Sequence, residues 1–475
     1  MHKLVMILFE KNSRFFFIGI GGSGMFPLAC LLKKNGYFLG GSDQKKSPYI
    51  QKLEQLGIPV FVTHAKENID TYDIIVYSSA ISIKNPELSE AQEKKKKILH
   101  RSDILKYFVN NHPSVTVVGT HGKTTSTSLV EEALNSSPHE KSSIAIVGGT
   151  NLSSQNYSDL KNCRFFIAEA DESDGSFLKY EPDITLITNI EKDHLDYFKN
   201  FDAILHHFEK HISKLKGLKI LVYNNDEPSC ATLARRYPGE KISFGFTKEA
   251  SIHATNLEPK GKNTHFTLTT PVNSYKVTLP LLGEHNVMNA LGAFSVAYAL
   301  KQDLSHVCRA FEKLLGIKRR LELIYQRDNC YFYDDYAHNP GKIHACLSAL
   351  RKHFPDYKLI ALFEPHRFSR VRFLFDEFVQ AFHHADFTFV FPVFCAGETP
   401  SQEDRTIEDL VREIKNYCHK PAEAVYNGKE DYPKVLKEMT EKSIVVSLGA
   451  GDISTIAYQI RELLICETSL FQKTP

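Results

Sequence analysis

The sequence predicts an α/β protein of about three domains built on mostly parallel sheets. Its 475 residues are too many for one ordinary core, and the usual domain size gives about three. Apolar, β-rich runs recur along the chain with helical segments between them, which is the pattern of strands that alternate with helices. Two of these runs lead into glycine-rich turns, where α/β sheets bind phosphate-containing ligands.

Composition excludes several other classes. The chain has 58 basic and 56 acidic residues, so its net charge creates no strong electrostatic field that would favour binding to nucleic acid or to a membrane surface. Nine cysteines are scattered without a C-x-x-C pair, which argues against a zinc site or a disulfide framework and favours a reducing cytoplasm. The apolar patch at residues 5–9 is too short for a signal sequence or a membrane span, so we expect neither export nor insertion.

Three blocks emerge, which we predict as domains at 1–109, 110–317 and 318–475. A polar segment at 109–114 is predicted as a linker between the first two. Strands are expected in the first block at 14–20 and 73–77, in the second at 165–168, 184–188 and 220–223, and in the third at 331–333, 359–363, 387–391 and 444–448.

The first glycine-rich turn is Gly-Ile-Gly-Gly-Ser-Gly at 19–24, between an apolar strand and a helix. Asp43 ends the next strand, at the offset of a ribose-binding acid, so a nucleotide-type ligand with a diphosphate is expected. A tight turn without a ligand is the alternative, and an NAD-dependent dehydrogenase would use the same fingerprint. A second phosphate loop further along the chain argues against the dehydrogenase, because hydride transfer does not need one.

That second loop is Gly-Thr-His-Gly-Lys-Thr-Thr at 119–125, after a β-branched strand. Backbone N–H groups of such a turn and the start of the following helix bind phosphate oxygens, while Lys123 supplies positive charge and Thr124 a hydroxyl for Mg²⁺. Only two residues separate its glycines, where the common G-x-x-x-x-G-K-[ST] motif has four.

Acidic side chains follow the next apolar strand. Four carboxylates lie at its end, namely Glu169, Asp171, Glu172 and Asp174. Such a cluster is costly unless a cation or solvent neutralises it, and Mg²⁺ is the natural partner beside a phosphate loop. An acidic surface loop is the alternative. Asp193 and His194 follow a third strand and are expected at the same edge of the sheet, although a lone histidine is more often structural.

Six motifs in order along the chain together resemble the Mur ligases of peptidoglycan synthesis. They are the G-T-H-G-K-T-T loop, the E-A-D-E-S-D strand end, T-N-I-E-x-D-H, Gly283-Glu-His-Asn with Asn289, D-D-Y-A-H-N-P from Asp334, and F-E-P-H-R-F-S-R from Phe363. Within the family, the glycine-rich opening and the P-H-R pattern most resemble the branch that adds L-alanine.

The resemblance implies an N-terminal Rossmann-like domain for a UDP sugar, a central P-loop ATPase domain with a mostly parallel sheet, and a C-terminal Rossmann-like domain that closes over the site. It also implies a reaction with ATP and Mg²⁺. The lactyl carboxylate of UDP-N-acetylmuramate takes the γ-phosphate, and the amine of L-alanine then displaces phosphate from the acyl phosphate. A ligase that recycles murein by adding a whole peptide shares nearly all these motifs and remains an alternative. A non-catalytic nucleotide-binding regulator would keep the glycine-rich loops but lose Lys123, the acidic residues or His338, and this chain keeps them all.

The resemblance also assigns roles to individual residues. Catalytic roles fall to Lys123, His194, His338 and Arg367. ATP binding falls to Gly119, Thr120, His121, Gly122, Lys123, Thr124, Thr125, His285, Asn286, Asn289 and Arg319. Thr124, Glu169 and His194 are the expected metal ligands, with Glu172 as the second choice for the carboxylate. A polar helix start is the alternative interpretation of residues 285–289.

For alanine, the resemblance points to Tyr336, His338, His366, Arg367 and Arg370. Arginine matches a carboxylate bidentately, and a histidine nearby could accept a proton from the amine; surface arginines at a helix start are the alternative. For the UDP sugar it points to Gly21, Gly22, Ser23, Gly24, Asp43, His64, Ser78, Ser79 and Arg101. Alanine-adding members usually read D-D-Y-G-H-H-P. This chain has Ala337 in place of the glycine and Asn339 in place of the second histidine, so His338 is kept but its neighbour cannot titrate.

Overall fold

The computed structural model describes residues 12–44, 47–137, 142–147, 160–192, 198–426 and 428–466. The predicted Asp193 and His194 lie outside these ranges. The described chain contains three sheets of five, nine and six strands. No helix within these ranges is long and apolar enough to cross a membrane.

The first sheet is parallel throughout. Its strands are β1 (Arg14–Ile18), β2 (Phe38–Ser42), β3 (Val60–Phe61), β4 (Ile74–Tyr77) and β5 (Lys97–His100). Its helices are α1 (Phe26–Lys34), α2 (Pro48–Gln55), α3 (Pro86–Glu93) and α4 (Arg101–Asn111). The order β3-β2-β1-β4-β5 matches the first five positions of the Rossmann strand order 3-2-1-4-5-6. Residues 15–18 of β1 are fully buried, because helices cover both faces of such a sheet.

The second sheet has nine strands. They are β6 (Ser114–Val118), β7 (Ile144–Ile146), β8 (Phe166–Glu169), β9 (Ile184–Ile187), β10 (Ile220–Asn224), β11 (Glu240–Gly245), β12 (Ile252–Lys260), β13 (Asn263–Thr269) and β14 (Ser274–Leu279). Its helices are α5 (Lys123–Leu134), α6 (Phe201–Ile212), α7 (Pro228–Arg236), α8 (Glu284–Ala299) and α9 (Leu304–Glu312). The order is β14-β13-β12-β11-β10-β9-β6-β8-β7. Because β8, β6 and β9 are parallel neighbours, the segments that follow them meet at one edge of the sheet.

The third sheet is parallel except at one edge. Its strands are β15 (Glu322–Arg327), β16 (Cys330–Asp335), β17 (Lys358–Phe363), β18 (Phe387–Val390), β19 (Ala422–Ala424) and β20 (Ser443–Leu448). Its helices are α10 (Pro340–His353), α11 (Phe368–Phe373), α12 (Phe375–Ala381), α13 (Ile407–Cys418), α14 (Tyr432–Glu438) and α15 (Ile453–Cys466). The order is β15-β16-β20-β17-β18-β19, with β15 antiparallel to β16. The segments after β16, β20 and β17 therefore share one edge.

The predicted three-domain α/β class with mostly parallel sheets is confirmed. The predicted linker at 109–114 is wrong, because α4 continues to Asn111 and β6 begins at Ser114. The polar character of this segment has another cause: the Asn110 side chain accepts a hydrogen bond from the backbone N–H of Glu181 at 2.9 Å. The boundaries at 109 and 317 stay predictions.

By its internal contacts the chain divides into two compact units. The first contains residues 1–255, 267–277 and 288–313, and the second contains 256–266, 278–287 and 314–475. The first unit carries the two glycine-rich turns and the acidic strand end. The second carries the predicted alanine-binding residues.

Candidate active site

The phosphate loop joins β6 to α5 and needs glycine at both ends. Gly119 has φ +137° and Gly122 has φ +80°, a region that side chains disfavour. A Cβ at Gly119 would overlap Thr188 Oγ1, and one at Gly122 would overlap Asn289 Oδ1. The loop backbone therefore packs directly against β9 and α8.

Thr188 and Asn189, just after β9, hold this loop in shape. Asn189 accepts hydrogen bonds from Thr120 N at its carbonyl (3.1 Å) and from His121 N at Oδ1 (2.8 Å). The Thr188 hydroxyl donates to the carbonyl of His121 at 2.6 Å. The sequence motif T-N-I-E contains both residues, but their residue types alone indicate no role for either of them.

The start of α5 has a geometry that suits an anion. Gly122 is its N-cap and no side chain caps it, while the first N–H groups of a helix have no intrahelical acceptor. Lys123 Nζ lies 2.7 Å from the carbonyl oxygen of Gly119 and 2.9 and 2.7 Å from the two carboxylate oxygens of Glu172. Burial alone would lower the pKa of Lys123, but the charges of Glu172, Asp171 and Glu169 outweigh it and raise that pKa above its usual value.

Two hard oxygen donors lie together beside this loop. The Thr124 hydroxyl donates to Glu169 Oε1 at 2.9 Å. A hydroxyl and a carboxylate at this separation fit Mg²⁺, which prefers oxygen ligands together with substrate phosphates. Glu172 fits less well as a ligand, because both of its oxygens contact the Lys123 ammonium.

The other two carboxylates contact two residues that were predicted to bind the UDP sugar. Asp171 Oδ2 lies 3.8 Å from Arg101 Nη2, and Asp174 Oδ2 accepts a hydrogen bond of 2.8 Å from Ser79 Oγ. The four acids of this strand end thus have four different partners, and two of those partners belong to the predicted UDP-sugar site.

The first glycine-rich turn is closed by Asp43. Gly21 N donates to Asp43 Oδ2 at 2.9 Å, and the turn places Gly24 next to Arg101, whose Nη1 would lie 3.0 Å from a Cβ there. Arg101 thus places a positive charge directly beside this turn. Of the remaining predicted residues, Gly22 and Ser23 are exposed in the turn, Ser78 and Ser79 follow β4, and His64 contacts Ser42 at the end of β2.

In the second unit, Arg319 is held from three sides. Its Nη2 donates to the carbonyl of Gly449 at 2.7 Å, its Nε lies 3.9 Å from the buried Asp334, and its guanidinium lies 4.7 Å from the Tyr336 ring centre. The backbone of Arg319 has φ +58° and its carbonyl accepts from Tyr336 N at 2.9 Å. The predicted nucleotide arginine and the predicted alanine-site tyrosine are thus in contact.

A row of rings continues from Tyr336. His338 lies 5.2 Å from Tyr336 and 5.9 Å from His366 between ring centres, and Arg370 Nη1 lies 3.0 Å from His366 Nδ1. Burial, followed by the charge of Lys342, lowers the pKa of His338 to about 3. Burial and the charge of Arg370 lower the pKa of His366 to about 4. Both imidazoles are therefore neutral near pH 7.

Arg367 has a strained backbone. Its φ is +71° and its ψ is 133°, a conformation that costs an arginine of order 1–3 kcal/mol and that clusters at functional sites. Its N–H donates to the carbonyl of Phe394 at 2.8 Å, and Phe394 N donates to the carbonyl of Pro365 at 2.8 Å. This short parallel pairing holds Arg367, whose side chain is exposed, at the start of α11.

The predicted residues on α8 lie in two different settings. Asn289 accepts a hydrogen bond of 3.1 Å from Ser126 Oγ and adjoins Gly122 of the phosphate loop. In the second unit, Asn286 donates to the carbonyl of Leu282 at 2.9 Å, while His285 is exposed. The alternative interpretation as a polar helix start accounts for Asn286, whereas Asn289 adjoins the phosphate loop.

Asn339 caps α10, since its Oδ1 accepts from Lys342 N at 2.9 Å. Asparagine is among the best N-cap residues. The departure from D-D-Y-G-H-H-P at this position therefore has a structural use, and the neighbouring His338 keeps its place in the row of rings.

Comparison with known proteins assigns the family. Three protein-family models match successive parts of the sequence. They describe the catalytic domain of the Mur ligase family at residues 14–113, the Mur ligase middle domain at 117–297, and the Mur ligase glutamate ligase domain at 319–451. The chain belongs to the Mur ligase family. The resemblance predicted from the sequence motifs is thereby confirmed.

Among curated Mur ligases, the UDP-N-acetylmuramate--L-alanine ligase of Desulforapulum autotrophicum is 35% identical over 96% of this chain and 100% of its own length. That of Aquifex aeolicus is 33% identical over 94% of this chain and 97% of its own length. The solved UDP-N-acetylmuramate-alanine ligase of Thermotoga maritima matches with a TM-score of 0.81 and 26% identity, over 96% of this chain and 100% of that one. A murein peptide ligase of Psychrobacter arcticus, with a TM-score of 0.68 and 21% identity over 98% and 100% of the two chains, shares the fold.

Proposed function

We propose that this Mur ligase joins L-alanine to UDP-N-acetylmuramate, with conversion of ATP to ADP and phosphate, in the synthesis of peptidoglycan precursors. The full-length relatives named for this reaction support the proposal. The structural observation that carries it is the start of α5, where the consecutive residues Lys123 and Thr124 reach two carboxylates of one strand end. This arrangement suits a bound nucleotide triphosphate with its metal ion.

Two steps complete the reaction. A carboxylate oxygen of the sugar bonds to the γ-phosphorus of ATP as the bond to ADP breaks, which gives an acyl phosphate. The alanine nitrogen then bonds to the acyl carbon, phosphate leaves with that oxygen, and the nitrogen loses a proton. Catalysis here depends on positioning and charge neutralisation, so a protein nucleophile is not required.

The phosphate loop supplies the positioning for ATP. Backbone N–H groups at the start of α5 bind phosphate oxygens, and Lys123 moves from Glu172 to the transferring phosphoryl group. Thr124 and Glu169 would hold one Mg²⁺, which neutralises charge on the phosphates when bound. His194 remains the proposed ligand of a second metal ion.

The substrates have separate proposed sites. Asp43, Arg101 and the turn at 19–24 bind the UDP part of the sugar. Arg367 and Arg370 bind the alanine carboxylate beside His366, whose Nδ1 accepts from Arg370 at 3.0 Å. His338 donates from Nδ1 to the carbonyl of Tyr336 at 2.8 Å, so its neutral ring offers Nε2 as an acceptor to the amine. A cytoplasmic location follows from the substrates, since ATP and UDP sugars are cytoplasmic metabolites, and the described cysteines are all free thiols.

The test is product analysis with the full chain, ATP, Mg²⁺ and UDP-N-acetylmuramate. We expect ADP release that depends on L-alanine, and a product heavier than the sugar nucleotide by one alanine residue. Lys123→Ala abolishes this release, whereas Lys210→Ala, at an exposed lysine of α6, does not. A peptide acceptor in place of alanine tests the recycling ligase. ADP release that needs neither L-alanine nor a peptide would refute the proposed ligase activity.

A further inference from the structure

A buried carboxylate lies behind the sugar-nucleotide turn. Glu87, in the first turn of α3, is 0% exposed. Its Oε2 accepts from Ser42 Oγ at 2.6 Å and lies 2.8 Å from His64 Nδ1, and its Oε1 accepts from Asn68 Nδ2 at 2.7 Å. A buried carboxylate is costly without such donors, and the start of a helix adds further stabilisation. The network is complete, so the side chain has one orientation.

This network determines the tautomer of His64. An ionised carboxylate only accepts hydrogen bonds, so the His64 Nδ1 that faces Glu87 must carry a hydrogen. In a neutral ring, Nε2 is then the acceptor. The His64 side chain is 10% exposed, and within the described part of the chain its hydrogen bonds are all made through Nδ1.

The same carboxylate also holds the end of β2. Ser42, which donates to Glu87, accepts at its carbonyl from the N–H groups of Gly19 at 2.8 Å and Ile20 at 3.0 Å. The next residue, Asp43, accepts from Gly21 N at 2.9 Å. Glu87 is thus linked to two predicted contacts of the UDP group, His64 and the Asp43 turn, without being placed to touch the ligand itself.

We propose that Glu87 is a positioning residue for sugar-nucleotide binding, which holds His64 with Nε2 as an acceptor for an N–H or hydroxyl of the UDP moiety. The proposal rests on the proposed function and extends it to a residue that no motif includes. A purely structural Glu87 would support the fold of the first sheet equally for all substrates. The two roles differ in which kinetic constant changes and in the tautomer of His64.

Glu87→Gln is the test variant, because a glutamine keeps the shape but can donate to Nδ1 and so favour the opposite tautomer. Glu90→Gln is the matched control, one turn further along α3, where Glu90 pairs with Lys94 at 3.0 Å. We expect Glu87→Gln to raise the KM for UDP-N-acetylmuramate about 10-fold, the loss caused by one misdirected hydrogen bond to an uncharged N–H or hydroxyl group. The KM values for ATP and alanine, and all constants of Glu90→Gln, should stay within about 2-fold of the parent.

The tautomer is measured independently of activity. Nitrogen-15 NMR of the histidine side chains in the ligand-free protein, with His64→Asn to assign the signal, should show Nδ1–H in the parent and Nε2–H in Glu87→Gln. An unchanged tautomer, or a sugar KM equal to the parent's, would overturn the proposal. Failure of the parent protein to bind UDP-N-acetylmuramate in calorimetry would instead refute the proposed function and leave the tautomer result standing.

A double-variant cycle separates direct from indirect action. If Glu87 acts through His64, adding Glu87→Gln to His64→Asn should raise the sugar KM by less than about 2-fold more. Fully additive effects would contradict action through His64. Should Glu87→Gln not fold, Glu87→Asp keeps the buried charge but withdraws the oxygen from Nδ1, and it should raise the same KM selectively; a uniform change of all three KM values would contradict the proposal.

Discussion

Lys123 and Glu172 form a bidentate ion pair across the phosphate loop, with Nζ 2.9 Å from Oε1 and 2.7 Å from Oε2. The side chains are 13% and 3% exposed, so the pair is shielded from water. Without ATP, the lysine charge is thus neutralised by a neighbouring strand end. When phosphate oxygens take the lysine, they must compete with Glu172.

Removing this competition should strengthen nucleotide binding. In Glu172→Gln the ammonium has weaker acceptors, so we expect the ligand-free protein to lose about 1–3 kcal/mol of unfolding free energy. The increase in melting temperature on adding ATP should be larger than in the parent, because phosphate replaces a lost partner. Glu181→Gln, at an exposed position of the same unit, is the control. An equal ATP shift in all three proteins would contradict the competition.

Gly122→Ala tests the close packing of the loop. A Cβ there would overlap Asn289 Oδ1, whereas one at Gly36, with a similar φ of +87°, would meet no atom within 4 Å. Both variants should lose about 1–2 kcal/mol of unfolding free energy from the left-handed backbone. Only Gly122→Ala should raise the KM for ATP, by about 10-fold or more. Similar KM values for the two variants would refute the role of this packing in ATP binding.

Arg367→Ala should affect alanine selectively. Loss of a charge-assisted bond to the alanine carboxylate should raise the KM for alanine about 10- to 100-fold, with little change in that for ATP. Arg372→Ala, on the same helix, removes a surface arginine paired with Asp404 at 3.4 Å and should leave both constants near the parent values. Equal effects of Arg367→Ala on ATP and alanine would contradict the proposed pocket.

The pH profile tests the charge state of His338. Its pKa of about 3 lies below the ordinary value because of burial, so the ring stays neutral as the pH rises from 5 to 9. His338→Gln should therefore change kcat/KM for alanine by a factor that does not vary over this range. If the parent profile has an acidic limb near pH 6 that disappears in the variant, the histidine titrates and the prediction fails.

Strong local signals made most of the fold predictable. The buried runs of β1, β4, β8 and β17 are continuous apolar segments, as expected for parallel strands covered on both faces. The strands β13 and β14 were not predicted, because each buries alternate residues only and carries many polar side chains. The predicted linker is wrong because polar residues also occur at a helix end, where Asn110 accepts a hydrogen bond from the backbone N–H of Glu181.

For the site, residue types were predictable and pairings were not. The motifs identified the loop and the acidic strand end, but both Glu169 and Glu172 remained possible metal ligands. Which carboxylate pairs with Thr124 depends on the register of β6 beside β8, which directs Thr124 to Glu169 and Lys123 to Glu172. The pairing of Thr188 and Asn189 with the loop likewise follows from β6 beside β9, and a sequence alone does not specify which strands are neighbours.

Transfer of a carboxylate oxygen to phosphate is the most direct test of the central claim. With UDP-N-acetylmuramate labelled with oxygen-18 in its carboxylate, ATP, Mg²⁺ and L-alanine, mass spectrometry of the released phosphate reports the bond that forms. The proposed acyl phosphate predicts one oxygen-18 atom in each phosphate, in step with ADP release. Unlabelled phosphate released together with ADP would show that the carboxylate does not attack the γ-phosphate, and would contradict the proposed reaction.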